Sequence, residues 1–191
     1  MVSFHIPATE GRTVDVTLGS GPVLFAGSRH ITPEGQTCRD LVTIFGTLGV
    51  SFLTGCAGGV DAAFRRAFRL SKHSEQSLVA CAFKERVKMM DGLFVVPDNL
   101  PPRVALAKRT LWMTERCSLL ILFPSDPIGK GSNLAFKSTI MHNKPVFMVQ
   151  DHKPPSSDLY STHRTGLFGI VEGWWCLPPV YAETGLCYEE V

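Results

Sequence analysis

The stretch Val50–Leu70, VSFLTGCAGGVDAAFRRAFRL, shows the pattern that decides the fold. Its first residues are an apolar run of strand length that ends at glycine. After the glycine-rich turn, apolar residues recur at helical spacing from Val60 onward. A strand, a tight turn and a helix in this order are the repeating unit of proteins built on a parallel sheet.

The same order recurs along the chain. Further patterns of buried strands occur at GPVLFAGS, SLVACAF, SLLILFP and KPVFMVQ, with helix patterns between them. One of these helices is predicted to begin near Thr32, where the order Thr-Pro-Glu suits a first turn. The predicted fold is therefore α/β: a Rossmann-like three-layer α/β/α arrangement with a mostly parallel sheet covered on both faces. The alternating stretches VSFHIP and TVDVTL predict a short N-terminal hairpin.

The composition of the chain changes after Gln150. We expect residues 1–150 to form one Rossmann-like nucleotide-binding domain and residues 151–191 to form a C-terminal extension. This extension is expected to pack on the core or on a second subunit of a homodimer. Trp174 and Trp175 could stack on nucleic-acid bases, but their apolar neighbours favour packing or a subunit interface.

The composition also narrows the possible functions. With 191 residues and a net charge of +2, the chain has no overall basic character of the kind seen in many nucleic-acid-binding proteins. Its apolar runs are shorter than the roughly 20 residues that cross a bilayer, and no signal peptide is evident, so we expect a cytoplasmic protein. The six cysteines form no CxxC pair and the histidines show no ligand spacing, so we expect neither a metal ion nor a cofactor.

Three loops rich in glycine or serine each follow a predicted strand and lead into a helix: AGSRHITPEG, TGCAGGVD and FPSDPIGKGSN. The carboxyl ends of parallel strands lie at one edge of the sheet, and helix N-termini offer free N–H groups to phosphate. One such loop could be an ordinary turn, but three together favour a site for a phosphate-bearing ligand. The candidate binding residues in these loops are Gly27, Ser28, Arg29, Gly55, Gly58, Gly59, Asp61, Gly129, Gly131 and Ser132.

These motifs also carry a family resemblance. In their order and spacing, FAGSR, LTGCAGGVDAAF and FPSDPIGKGSNLAFKSTIMHNKPVFMV resemble the SLOG superfamily of Rossmann-like proteins. The resemblance spans roughly Pro22 to Gln150 and is greatest to the DNA-processing protein A (Smf) branch, which binds single-stranded DNA through this domain. It implies that the ligand is a nucleotide or a single-stranded nucleic acid.

A second branch of the superfamily, the phosphoribohydrolases of the LOG family, offers an enzymatic alternative. Arg109, Met113 and Pro124 hold the spacing of that family, which implies that Arg109 binds the ligand. However, Ala135 stands where the resemblance places the catalytic glutamate, and cleavage of a glycosidic bond needs a carboxylate. The resemblance therefore favours binding over catalysis. An N-glycosidic hydrolase would need a substitute carboxylate, for which the candidates are Glu34, Asp61 and Asp126.

Overall fold

The structure, a computed structural model, describes residues 2–7 and 13–181. Near its N-terminus, β1 (Ser3–Pro7) pairs antiparallel with β2 (Thr13–Thr17), which confirms the predicted hairpin. The turn of this hairpin lies outside the described residues, as do the last ten residues of the predicted extension, 182–191.

The main sheet of the described chain contains eight strands, in the spatial order β6-β5-β4-β3-β7-β8-β10-β9. They are β3 (Val23–Gly27), β4 (Phe52–Gly55), β5 (Ser77–Cys81), β6 (Leu93–Phe94), β7 (Leu119–Phe123), β8 (Val146–Met148), β9 (Ser161–Leu167) and β10 (Val171–Leu177). Neighbouring strands from β6 to β8 run parallel, whereas β10 is antiparallel to both β8 and β9. The mostly parallel sheet predicted from the sequence is thus confirmed.

Five α-helices accompany the sheet in the described residues. They are α1 (Gly35–Thr47), α2 (Val60–Leu70), α3 (Lys84–Met90), α4 (Pro102–Arg116) and α5 (Lys130–Met141). Alternate residues of the central strands point to opposite faces of the sheet. On one face Phe25 belongs to the core shared with α1 and α2, and on the other Leu24 belongs to the core shared with α4 and α5. This is the three-layer arrangement that the strand and helix patterns predict.

Aromatic packing holds the α2 face together. The rings of Phe25 on β3 and Phe64 on α2 stack with centroids 4.1 Å apart and planes 12° apart. Both side chains are completely buried. Burial of this apolar face fixes how α2 lies on the sheet, and therefore where the turn before α2 stands.

The first helix begins later than the sequence predicts. Helix α1 starts at Gly35 with Glu34 at its N-cap, so Thr32 lies outside the helix. The preceding Ile31 packs against the core. The helix therefore begins two residues after the position that the Thr-Pro-Glu signal indicates, and the partly buried Ile31 packs in the segment that precedes it.

The segment after Gln150 adds two strands to the sheet. Strands β9 and β10 form an antiparallel hairpin, and β10 also pairs with β8. Trp175 is 1% exposed and packs against Phe4 and Phe147, with ring centroids 5.2 Å apart in both pairs. In the described residues this tryptophan is therefore part of the core. The division of the chain at residue 150 stays a prediction.

The strand order identifies the edge where a ligand would bind. From β3 the chain adds β4, β5 and β6 on one side and then returns to add β7 and β8 on the other. The direction of winding therefore reverses between β3 and β7. In open α/β sheets a crevice forms at the carboxyl ends of the strands at this reversal, and ligands bind there.

Candidate functional site

A cavity of about 400 Å³ lies at this reversal point. The loops after β3 and β4, the first turn of α5 and one face of α4 enclose it. Its volume falls within the range of small-ligand sites. Its lining residues are Ala26, Gly27, Arg29, Ala57, Asp61, Arg103, Leu106, Ala107, Arg109, Thr110, Met113, Lys130, Gly131, Ser132, Leu134 and Ala135.

Positive charge dominates the lining of this cavity. Four cationic side chains, those of Arg29, Arg103, Arg109 and Lys130, face a single carboxylate, that of Asp61. Arg29, Arg103 and Lys130 are exposed, whereas Arg109 is only 7% exposed. The near-neutral chain thus concentrates cations at one concave surface, which attracts an anion.

Arg109 is the buried cation of the site. Its Nη1 lies 3.6 Å from Asp61 Oδ2 and donates a hydrogen bond to Cys56 Sγ at 3.4 Å. Its buried Nε has no hydrogen-bond partner in the described structure. A buried polar atom without a partner is costly, and a guanidinium N–H is a strong donor to phosphate oxygens. Arg109 therefore retains a donor that an anionic ligand could satisfy.

Asp61 lies in the first turn of α2 and is almost fully buried. Its Oδ2 accepts a hydrogen bond from the Ala57 backbone N–H at 3.1 Å. Burial raises the pKa of the Asp61 carboxyl above its ordinary value, and Arg109 only partly opposes this rise. Nearby, the Val60 N–H donates to the Ser28 carbonyl at 3.1 Å. The Val60 N–H at the start of α2 is therefore already hydrogen-bonded within the protein and is not free for a ligand.

Cys56 is a buried thiol beside this ion pair. Burial raises the pKa of the thiol, but the Ala82 N–H, Arg109 and Arg86 outweigh it, so that the pKa lies below its ordinary value. The Arg86 side chain also donates a hydrogen bond to the Cys56 carbonyl at 2.7 Å. The guanidinium groups of Arg109 and Arg86 therefore favour the thiolate form of Cys56.

Packing explains three of the glycines that the sequence suggested for phosphate binding. Gly59 has φ +58°, and a Cβ there would overlap the Ser28 carbonyl. A Cβ at Gly55 would overlap the carboxylate of Asp61, and one at Gly27 would overlap the Phe123 backbone. These glycines let the loops and the ion pair approach closely. A direct role for them in ligand binding stays a prediction.

The start of α5 is the most open helix N-terminus of the cavity. Gly129 is the N-cap, and Lys130, Gly131 and Ser132 form the first turn, whose N–H groups have no partner within the helix. A Cβ at Gly131 would meet nothing within 4 Å. The hydroxyl-bearing Ser132 is 6% exposed and lines the cavity. This turn can therefore receive an anion without any change in the fold.

The structure brings six of the predicted binding residues to the cavity lining. They are Gly27, Arg29, Asp61, Arg109, Gly131 and Ser132. The other five flank the same loops: Ser28, Gly55, Gly58, Gly59 and Gly129. Ala135 lines the cavity too, so the position that the resemblance gives to the catalytic glutamate carries no carboxylate.

Arg103 is a cationic residue of the cavity that was not among the residues predicted for the site. It lies on α4 and lines the cavity with Leu106, Ala107, Thr110 and Met113. The spacing of these residues is that of one helix face. Arg103 lies six residues before Arg109, which is not a helical repeat, so the spacing from Arg109 alone does not indicate it.

Comparison with known proteins shows a likeness to a solved structure. The chain is similar to DNA processing protein A from Helicobacter pylori, whose structure is described as giving insight into a unique single-stranded DNA binding mode. The TM-score is 0.53 at 14% sequence identity, over 79% of this chain and 81% of that chain. No protein-family model matches the chain, and no curated protein matches it significantly. At this identity the likeness shows a shared fold.

The described residues contain no helix that is long and apolar enough to cross a membrane. They also bring together no group of three or more histidine, cysteine, aspartate or glutamate side chains that could hold a metal ion. The polar groups that the cavity lining offers are arginine and lysine side chains, the hydroxyls of Thr110 and Ser132, backbone N–H groups and one carboxylate.

Proposed function

We propose that the cavity binds the phosphate of a single-stranded nucleic acid or of a nucleotide, with single-stranded nucleic acid as the first candidate. The observation that carries this proposal concerns Arg109, which lines a cationic cavity and whose buried Nε has no partner in the described structure. The shared fold of DNA processing protein A, which binds single-stranded DNA, supports the first candidate.

Two sets of donors from the cavity lining would hold one phosphate. Arg109 Nε would donate from α4, and the first-turn N–H groups of α5 would donate from the other side. At the mouth, the exposed Arg29, Arg103 and Lys130 would attract the neighbouring phosphates of a strand. Such contacts carry no sequence information, so we expect binding with little preference among base sequences.

A nucleotide N-glycosidase is the alternative function. Among the residues that line the cavity, Asp61 alone carries a carboxylate, whereas Glu34 and Asp126 lie elsewhere. Its raised pKa is the property of a carboxyl group that can donate a proton to a leaving group. Asp61 is, however, buried against Arg109, and Ala135 supplies no second carboxylate. The site is therefore better suited to holding a phosphate than to cleaving a glycosidic bond.

Binding of a labelled oligothymidylate, measured by fluorescence anisotropy, tests the proposal. We expect the wild-type chain to bind it with an affinity that falls as salt rises, because bound cations release counterions from the strand. Arg109→Met should weaken binding by about tenfold or more, since a hydrogen bond to a charged group contributes about 1.5–3 kcal/mol. The matched control Arg66→Met removes an exposed arginine that lies outside the cavity lining and should leave affinity nearly unchanged.

The outcome also separates the candidates. Tighter binding of thymidine monophosphate than of the oligonucleotide, with a shallow salt dependence, would favour the nucleotide. Release of a free base from a panel of nucleotides, lost in Asp61→Asn, would support the enzyme instead. Equal effects of the Arg109 and Arg66 substitutions on affinity would contradict the proposed site. Membership of the SLOG superfamily, a dimeric state and a cytoplasmic location are further parts of this proposal.

A further inference from the structure

A second cavity, of about 600 Å³, lies on the other side of α5 from the phosphate site. The turn Pro124–Ile128, α5, the end of β8 and the segment 150–160 enclose it. None of its lining residues belongs to the lining of the first cavity. It is therefore a separate concave surface, of a volume typical of small-molecule sites.

The interior of the second cavity is apolar. Phe136, Ile140 and Met148 line it and are each at most 8% exposed. Phe136 also meets Tyr160 edge to face, with ring centroids 5.3 Å apart and planes 88° apart. These contacts fix the aromatic wall in position, so the cavity is already formed without a ligand.

Large apolar side chains are exposed around the same cavity. Ile128 is 38% exposed, Leu159 60% and Met141 77%, and all three line it. They come from three different segments of the chain that converge on one opening. Isolated exposed apolar residues are common, but a group of them around a preformed apolar cavity marks a binding site.

The charges at the opening are mainly positive. Lys137 and Lys153 line the cavity, and neither ammonium group has an ion-pair partner in the described part of the chain. The one carboxylate of the lining, that of Asp126, lies 3.8 Å from the Nε2 of His152. An apolar interior with two unpaired cations at its edge suits a ligand with an apolar body and one acidic group.

We propose that the second cavity binds a small molecule with a ring-sized apolar body and a single negative charge, of the class of aromatic carboxylates. The body would lie against Phe136, Ile140 and Met148, and the acidic group would lie beside Lys137 and Lys153. This site is independent of the phosphate site, because the two share no lining residue.

Nuclear magnetic resonance titration of the ¹⁵N-labelled full chain tests this proposal with three probes of the same ring system. These are 2-naphthoate, the neutral 2-naphthylmethanol and the cationic 2-naphthylmethylamine. We expect saturable shifts with 2-naphthoate, confined to the amides around the second cavity. The neutral probe should bind more weakly and the amine weakest, because the two lysines favour the acid.

Three variants locate the site. Leu159→Asp places a carboxylate on the cavity wall at an exposed position and should abolish saturable shifts with 2-naphthoate. Lys137→Glu with Lys153→Glu should weaken 2-naphthoate binding by about tenfold, as expected for two lost charge interactions near the surface. The matched control Lys72→Glu reverses an exposed lysine that is not part of the cavity and should change little.

Several results would overturn the assignment. Equal affinity for the acid and the amine would contradict the role given to the two lysines. Absence of saturable binding by all three probes would contradict the proposed site itself. Persistence of binding in Leu159→Asp would place the probe elsewhere. Burial of Ile128 and Met141 by self-association of the chain, without probe binding, would assign the exposed apolar group to a protein interface instead.

Discussion

Replacing Arg109 by methionine should destabilise the fold, and a second substitution at Asp61 should reverse most of that loss. The two side chains are only 8% and 5% exposed, with Nη1 and Oδ2 3.6 Å apart. Removing one member of a buried ion pair costs about 3–5 kcal/mol, because the other charge stays buried alone. The Asp61 carboxylate keeps its hydrogen bond from Ala57, so we expect about 3 kcal/mol, the lower end of this range.

Asp61→Asn in the Arg109→Met background removes the isolated charge. The asparagine side-chain oxygen can still accept the Ala57 N–H, so this double variant should recover about 2 kcal/mol of the free energy of unfolding. It should not recover phosphate binding, because Arg109 Nε is absent in both variants. Comparison of Arg109→Met with the double variant therefore separates the effect on stability from the effect on phosphate binding.

The stability of Arg109→Met relative to the double variant should depend on pH, and the direction of this dependence follows from the pKa of Asp61. The pKa of Asp61 is higher in the folded chain than its ordinary value, so the folded state binds more protons between the two values. Arg109→Met should raise the folded pKa further, since it removes an opposing positive charge. The deficit of Arg109→Met relative to the double variant should therefore be smallest below the ordinary carboxyl pKa and grow as the pH rises through the raised one.

Urea unfolding of the wild type, Arg109→Met and the double variant at several pH values measures this effect. If Arg109→Met were as stable as the wild type at neutral pH, the buried pair would not be the interaction described here. A double variant no more stable than Arg109→Met would show that the loss comes from packing of the arginine stem rather than from the isolated carboxylate.

Three further predictions concern the loops and the core. Gly59→Ala should cost about 2 kcal/mol in urea unfolding, because of its positive φ and the carbonyl beside it. Gly131→Ala should be neutral or stabilise the chain by up to about 1 kcal/mol, because its Cβ would meet no neighbour and alanine suits a helix better than glycine; equal losses in the two variants would contradict this. Phe64→Ala should cost about 3–5 kcal/mol by the same assay, since it leaves a cavity against Phe25, and a cost below about 1 kcal/mol would refute that packing. In an ultraviolet titration of thiolate absorbance, the transition lost in Cys56→Ala should lie below the ordinary thiol pKa, and Arg109→Met should move that transition to higher pH. A Cys56 transition that Arg109→Met leaves in place would contradict the influence of the guanidinium.

The fold was predictable because, along most of the chain, the apolar runs and helical spacings of the sequence coincide with the strands and helices of the structure. Leu119–Phe123 is buried at every position, and an unbroken apolar run of that length indicates an interior strand. Strand β9 gave no such signal. Its residues STHRTGL are mostly polar and partly exposed, since it forms the edge of the sheet, and pairing with β10 rather than a side-chain pattern defines it. The C-terminal hairpin could not be identified from the sequence for this reason.

The edge of the sheet that carries the candidate site was predictable, whereas the packing roles of the individual residues in its loops were not. The three loops were placed at one edge because each follows a predicted parallel strand. The sequence did not show that Gly59 is required by the Ser28 carbonyl, because that contact depends on how two distant loops pack. Nor did it show that Arg109 retains an unpaired Nε, since hydrogen bonding inside a cavity depends on tertiary geometry. Spacing and resemblance indicated the residue, and only the structure shows which of its donors is free.

A crystal structure of the chain with a short oligothymidylate tests the central claim most directly. We predict one phosphate within hydrogen-bond distance of Arg109 Nε and of the first-turn N–H groups of α5, inside the cavity between β3 and β7. A strand bound on another surface, with Arg109 Nε still without a partner, would contradict the claim.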